Sequence, residues 1–170
     1  EYLVEHKGRN NLIKNLVKDI DGNTLVLFNY VEKHGMPLYE LINNNVDSAR
    51  KVFFVHGGTD VEDREEVRNL TETESNAIIV ASYGTFSTGI NIKRLHNIVF
   101  ASPSKSRIRN LQSIGRVLRK GEGKDIATLY DIADDIGGQN YTLKHLNERV
   151  NIYNNENFKY EVIRVNLRAN

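Results

Sequence analysis

Gln112, Arg116 and Arg119 are the residues of this chain whose types and spacing point most directly to chemistry. In a helix they fall at i, i+4 and i+7 and share one face. Gly115 places no side chain beside that face, so a ligand or another backbone can come close. Leu111, Ile114 and Leu118 fall on another side, where they can bury against a sheet. A helix interior disfavours glycine by about 1 kcal/mol relative to alanine, so Gly115 asks for a reason. Two permanently charged guanidiniums beside a glutamine suit an anion with several oxygens, and phosphate fits best. A solvated basic face that tolerates a glycine would show the same spacing, so the surrounding chain has to decide between the two.

The charge distribution favours a local anion site. The net charge over 170 residues is only +1. Yet Lys105, Arg107, Arg109, Arg116, Arg119, Lys120 and Lys124 stand together against Glu122 alone. Asp60, Glu62, Asp63, Glu65, Glu66, Glu72 and Glu74 outweigh Arg64 and Arg68 in an acidic stretch. A concentrated basic segment inside a balanced chain indicates one anion-binding place, not a general polyanion coat. The length is that of one ordinary domain, and 39% hydrophobic with 26% charged residues is a globular balance. No apolar run approaches the length of a membrane span, and no stretch reads as a signal peptide. The absence of cysteine excludes disulfides and thiolate metal sites. The five histidines, His6, His34, His56, His96 and His145, form no ligand pair at helical spacing. A chain that begins at Glu1 is expected to be a piece of a longer protein or a trimmed one.

The elements that would position the basic helix follow from periodicity. Leu12, Ile13, Leu16, Val17 and Ile20 make a helical stripe, stopped by Asp21-Gly22-Asn23. Residues 24–28, 51–55, 77–81, 97–101 and 126–130 are short continuous apolar runs, the mark of strands buried on both faces. A helix to about Ile42, bent near Gly35 and Pro37, is predicted after the first run. Thr59 and Glu62 have the spacing of a capping box ahead of an exposed acidic helix. A helix from about Thr142 to Tyr153 and an edge strand from Phe158 to Val165 complete the prediction. Short buried strands alternating with helices give an α/β domain with a mainly parallel sheet flanked by helices. Its chemistry belongs in the loops at the carboxyl ends of the strands, here residues 56–59, 82–91 and 102–106.

Phe28-Asn29-Tyr30 at the end of the first strand, His56-Gly57-Gly58 after the second, Thr88-Gly89-Ile90-Asn91, and Gln112-x-x-Gly115-Arg116-x-x-Arg119 occur in a familiar order. Together they resemble motifs IV, V and VI of the second RecA-like domain of superfamily 2 helicases, over roughly Leu12 to Asp131. The tail and the hydrophobic runs resemble those of phage recombination and repair DNA helicases. The resemblance implies a RecA-like three-layer domain that forms the second, C-terminal motor lobe. It implies Arg116 and Arg119 as arginine fingers with Gln112 beside them, and Gly89, Asn91 and Gly115 on the ATP-coupling side. Two positions depart from the common pattern, which has an acidic residue where Asn91 stands and a threonine where Ser82 stands. An asparagine can hydrogen-bond a ribose but cannot serve as a carboxylate.

No Gly-x4-Gly-Lys-Ser/Thr phosphate loop is present. Gly121-Glu122-Gly123-Lys124 has the wrong spacing and follows a helix, and Asp131 reads as a strand-end polar residue. The resemblance therefore implies that ATP and Mg2+ are held mainly by an N-terminal RecA-like lobe of the same polypeptide, absent from this chain. The isolated lobe would then be inert. Small donors and open amides at Asn29, His56, Gly57, Gly58, Ser82, Thr85 and Thr88 suit contacts with a nucleic-acid backbone. Tyr30, Tyr83 or Phe86 could stack on a base. The implied partner is DNA, in branched form, with a monomeric, cytoplasmic motor and no membrane involvement. A stand-alone nucleic-acid- or nucleotide-binding module without ATPase activity, or the lobe of an RNA helicase, is the alternative. A small-molecule enzyme on a doubly wound sheet would need a Gly-x-Gly-x-x-Gly turn that this chain lacks.

Overall fold

The computed structural model describes residues 5–57, 65, 69, 73–84, 95–102, 128–132, 146–147, 150–151, 161 and 163–165. Helix α1, Lys7–Asp19, opens on His6, whose Nδ1 accepts from the Arg9 amide at 3.1 Å. Strand β1 is Thr24–Phe28, followed by a π-helical turn at Val31–Gly35 that runs directly into helix α2, Met36–Asn43. Strands β2, Val52–Val55, β3, Ile78–Ser82, β4, Asn97–Phe100, and β5, Thr128–Asp131, follow.

The five strands form one sheet in the order β2-β3-β1-β4-β5, and all four pairings are parallel. β1 is central and wholly buried, as an uninterrupted Thr-Leu-Val-Leu-Phe run requires. Alternation sends its side chains to two cores. Leu25 and Leu27 join Val55, Ile79, Ile98 and Phe100 on one face. Val26 and Phe28 join Ile78, Val80 and Val99 on the other, where Ile13 and Val17 of α1 and Leu38 and Ile42 of α2 cover them. Val150, in a stretch whose described residues are helical, packs on the first face. Helices thus lie on both sides of the sheet, the three-layer arrangement expected of the alternating pattern.

The amino edge of the sheet is tied by polar side chains. Asn23 accepts from the Ala77 amide at 2.8 Å and donates to the Glu74 carbonyl at 2.7 Å, and Asn97 donates to the Asp21 carbonyl at 2.7 Å. Gly22 sits at φ 96, a left-handed conformation that suits glycine, and a Cβ there would also meet His96. Arg50 closes the end of α1. Its guanidinium donates to the carbonyls of Val17 and Ile20, each at 3.0 Å, and to that of Asn76 at 3.0 Å. Burial holds its pKa below the usual arginine value, with Asp21 acting the other way.

Several expectations change in detail. The bend foreseen near Gly35 is a π-helical turn: the amide of Gly35 donates to the Tyr30 carbonyl at 2.8 Å, five residues back. Gly35 is buried against Phe28, whose ring would overlap any Cβ placed there. The edge strand expected over 158–165 is not formed at its described residues. Glu161 and residues 163–165 lie in no strand and are exposed, with Ile163 and Val165 facing outward. Alternation alone could not supply a sheet edge for them to pair with. In the acidic stretch, Glu65, Asn69 and Thr73 are helical and exposed, as expected of that helix, while Thr59 and Glu62 of the capping box lie outside the described residues. No helix among the described residues is long and apolar enough to cross a membrane.

Candidate functional site: the carboxyl edge of the sheet

Because all strands run the same way, their carboxyl ends form one edge, with neighbouring strands about 4.8 Å apart. Along it lie His56 and Gly57 after β2, Ser82 at the end of β3, Asn29 after β1, Ser102 after β4 and Asp131 at the end of β5. Ser82 pairs in register with Phe28, one residue before Asn29. The structure therefore brings Asn29, His56, Gly57 and Ser82 to a common edge, although they are far apart in the chain. Gly58, Thr85, Thr88, Gly89, Asn91, Gln112, Gly115, Arg116 and Arg119 lie outside the described residues.

A polar chain crosses this edge from β1 to β4. The Asn29 amide donates to Ser102 Oγ at 3.2 Å. Ser102 Oγ lies 2.8 Å from His34 Nδ1, and His34 Nε2 lies 3.1 Å from Asn10 Oδ1. A carboxamide oxygen only accepts, so His34 carries its proton on Nε2 and its Nδ1 accepts from the Ser102 hydroxyl. Every donor then meets an acceptor in one direction, from Asn29 through Ser102 and His34 to Asn10. Asn10, His34 and Ser102 are all buried. Burial, and then the charge of Arg9, lower the His34 pKa to about 4, so the ring is neutral, as the hydrogen bonds require. The Tyr83 hydroxyl donates to the Ser102 carbonyl at 2.9 Å, fixing the same residue from the β3 side.

This network was not visible in the sequence. His34 appeared as a scattered histidine and Ser102 as a loop residue. Asn10 and Arg9 lay at the polar start of the α1 stripe. Only the packing of α1 and the π-helical turn over the end of β1 joins them. The structure also separates the aromatic candidates. Tyr83 is 3% exposed and packs against Phe100 with ring centroids 5.8 Å apart, so it belongs to the core and cannot stack on a base. Tyr30 is 54% exposed, and Phe86 lies outside the described residues. His56 tilts its ring against Phe54 at 5.3 Å, an end-of-strand packing role that leaves it half-buried.

The family model described as "Helicase conserved C-terminal domain" matches residues 8–121. The ATP-dependent DNA helicase uvsW of Enterobacteria phage T4 is 43% identical over 160 residues, which cover 86% of this chain and 31% of that protein. The crystal structure of T4 UvsW superposes with a TM-score of 0.81 at 40% identity, covering 98% of this chain and 36% of that one. Domain 2 of the DEAD-box helicase Mss116p, solved with an RNA duplex, matches at a TM-score of 0.65 and 15% identity, over 86% of this chain and 56% of its own, and shares the fold. The chain thus spans about a third of the length of the uvsW relative. With the parallel sheet, its order and these matches in agreement, the chain belongs to the helicase conserved C-terminal domain family and has the RecA-like fold.

Proposed function

We propose that this chain is the second motor lobe of an ATP-dependent superfamily 2 DNA helicase or translocase that remodels branched DNA, by fork regression and Holliday junction branch migration. The observation that carries the reading is the 43% identity to a DNA helicase across 86% of the chain. In this reading ATP and Mg2+ are held mainly by a first RecA-like lobe of the same polypeptide. Arg116 and Arg119 reach the triphosphate across the cleft, Gln112 aligns the attacking water or a phosphate oxygen, and Gly89, Asn91 and Gly115 lie on the coupling side. Phosphoryl transfer is catalysed chiefly by positioning and charge, and an arginine from a second domain contributes about 10³ to 10⁵ in rate.

Asn29, His56, Gly57, Gly58, Ser82, Thr85 and Thr88 supply part of the strand track, through backbone phosphate and sugar contacts. The gathering of four of these residues on one sheet edge supports that assignment. ATP draws the lobes together, and hydrolysis releases them. The motor works as a monomer in the cytoplasm, that of the bacterial host if it is phage-encoded.

The test uses the full-length parent protein with fork and four-way-junction DNA. Arg119→Ala is expected to abolish ATP hydrolysis and branch migration while DNA binding persists, and the isolated chain is expected to show no ATPase activity. Wild-type hydrolysis by Arg119→Ala removes the arginine assignment. Appreciable turnover by the isolated chain removes the two-lobe reading in favour of a self-sufficient nucleotide site.

A further inference from the structure

Among the described residues, Tyr30 is the only exposed aromatic side chain. It stands at the carboxyl end of the central strand, next to Asn29, while the neighbouring aromatics Phe28, Tyr83 and Phe100 are buried. Its backbone is held from both sides. The preceding amide, that of Asn29, is bound by Ser102 Oγ, and the Tyr30 carbonyl accepts from the amides of His34 at 3.1 Å and Gly35 at 2.8 Å. The two residues whose amides bind it are themselves fixed: the buried His34 is anchored to Asn10 and Ser102, and Gly35 lies against the Phe28 ring. The turn that does this is π-helical, a rare geometry that recurs at functional positions. Met36, 44% exposed, is the next large apolar side chain along this stretch.

We propose that the Tyr30 ring is a stacking platform for one nucleobase of a single nucleic-acid strand that crosses the sheet edge at Asn29. The proposal rests on the nucleic-acid-motor reading above. An aromatic face accepts any base, which suits a motor that must move along every sequence. A ring presented from a backbone fixed on both sides loses little conformational freedom when a base arrives. The hydroxyl has no part in stacking, so the ring alone carries the effect.

The experiment measures binding of the full-length parent protein to single-stranded oligothymidylate and to an abasic strand of the same length. Tyr30→Ala is expected to weaken oligothymidylate binding roughly 5- to 100-fold and Tyr30→Phe to leave it near the wild-type value. Neither variant should change binding to the abasic strand. A base analogue placed along the strand should lose its stacking quench in Tyr30→Ala alone. If Tyr30→Ala weakens both strands equally, or Tyr30→Phe is as defective as Tyr30→Ala, Tyr30 is not a base platform. If the wild-type protein binds both strands tightly and Tyr30→Ala changes neither, this proposal fails while the motor reading stands. If the wild-type protein binds no strand, both fail together.

Discussion

His34 should make this domain lose stability on mild acidification, through the proton it does not hold. Its pKa falls from 6.5 to about 4 on folding, by burial first and the Arg9 charge second. The unfolded chain takes up the proton near the ordinary histidine pKa, whereas the folded chain refuses it until about pH 4. Between those values the unfolded state binds more protons, so stability falls as the pH falls. The contribution is complete above about pH 6.5 and disappears through the window down to about pH 4. A shift of this size corresponds to about 3 kcal/mol in all, of which about 2 kcal/mol is gone by about pH 5. That is a sizeable part of the 5–15 kcal/mol or so that holds a typical domain together. Protonation would also turn Nδ1 into a donor and set it against the Ser102 hydroxyl hydrogen, breaking the directed chain of hydrogen bonds. Carboxylates lose stability in the same direction at lower pH, so the measurement must isolate His34. Urea unfolding of wild type and His34→Gln, followed by circular dichroism, does so. The variant is less stable at neutral pH, and the gap should narrow by about 2 kcal/mol between about pH 7 and about pH 5. An unchanged gap across that range would refute the buried neutral histidine.

Two further perturbations test the packing that builds the edge. Gly35→Ala forces a methyl group into the Phe28 ring, so it should destabilise the domain by about 1–3 kcal/mol and lower its thermal midpoint. An unaltered midpoint would show that the turn is looser than described. Arg50→Ala removes the guanidinium from the α1 carbonyls of Val17 and Ile20 and should cost about 2 kcal/mol in urea unfolding. Arg50→Lys should recover only part of this, since an ammonium cannot span the same set of carbonyls.

The strands were legible because their signal is local. A run such as Thr24–Phe28 is apolar on both faces only if both faces are covered, and that condition alone indicates a parallel sheet between helices. The placement of Asn29, His56, Gly57 and Ser82 at one edge followed from the same rule, since parallel strands share their carboxyl ends. The 158–165 segment carries a local signal that the packed molecule does not use. Its alternation resembles an edge strand, but a strand needs a partner, and residues 161 and 163–165 have none in the sheet. The stacking candidates show the same. Tyr30 and Tyr83 follow apolar strands in the same way, yet one ring is exposed and the other is enclosed with its hydroxyl on Ser102.

By itself the sequence determined the fold class, the order along the chain of the five strands of the sheet and the helicase C-terminal domain family, because periodicity and short motifs are written into neighbouring residues. Tertiary structure alone decided which polar groups meet. Asn10, Asn29, His34 and Ser102 come from α1, the end of β1, the π-helical turn and the end of β4, and no spacing along the chain encodes their contact. Their protonation and direction of hydrogen bonding depend on burial, which is a property of the packed molecule and not of any segment.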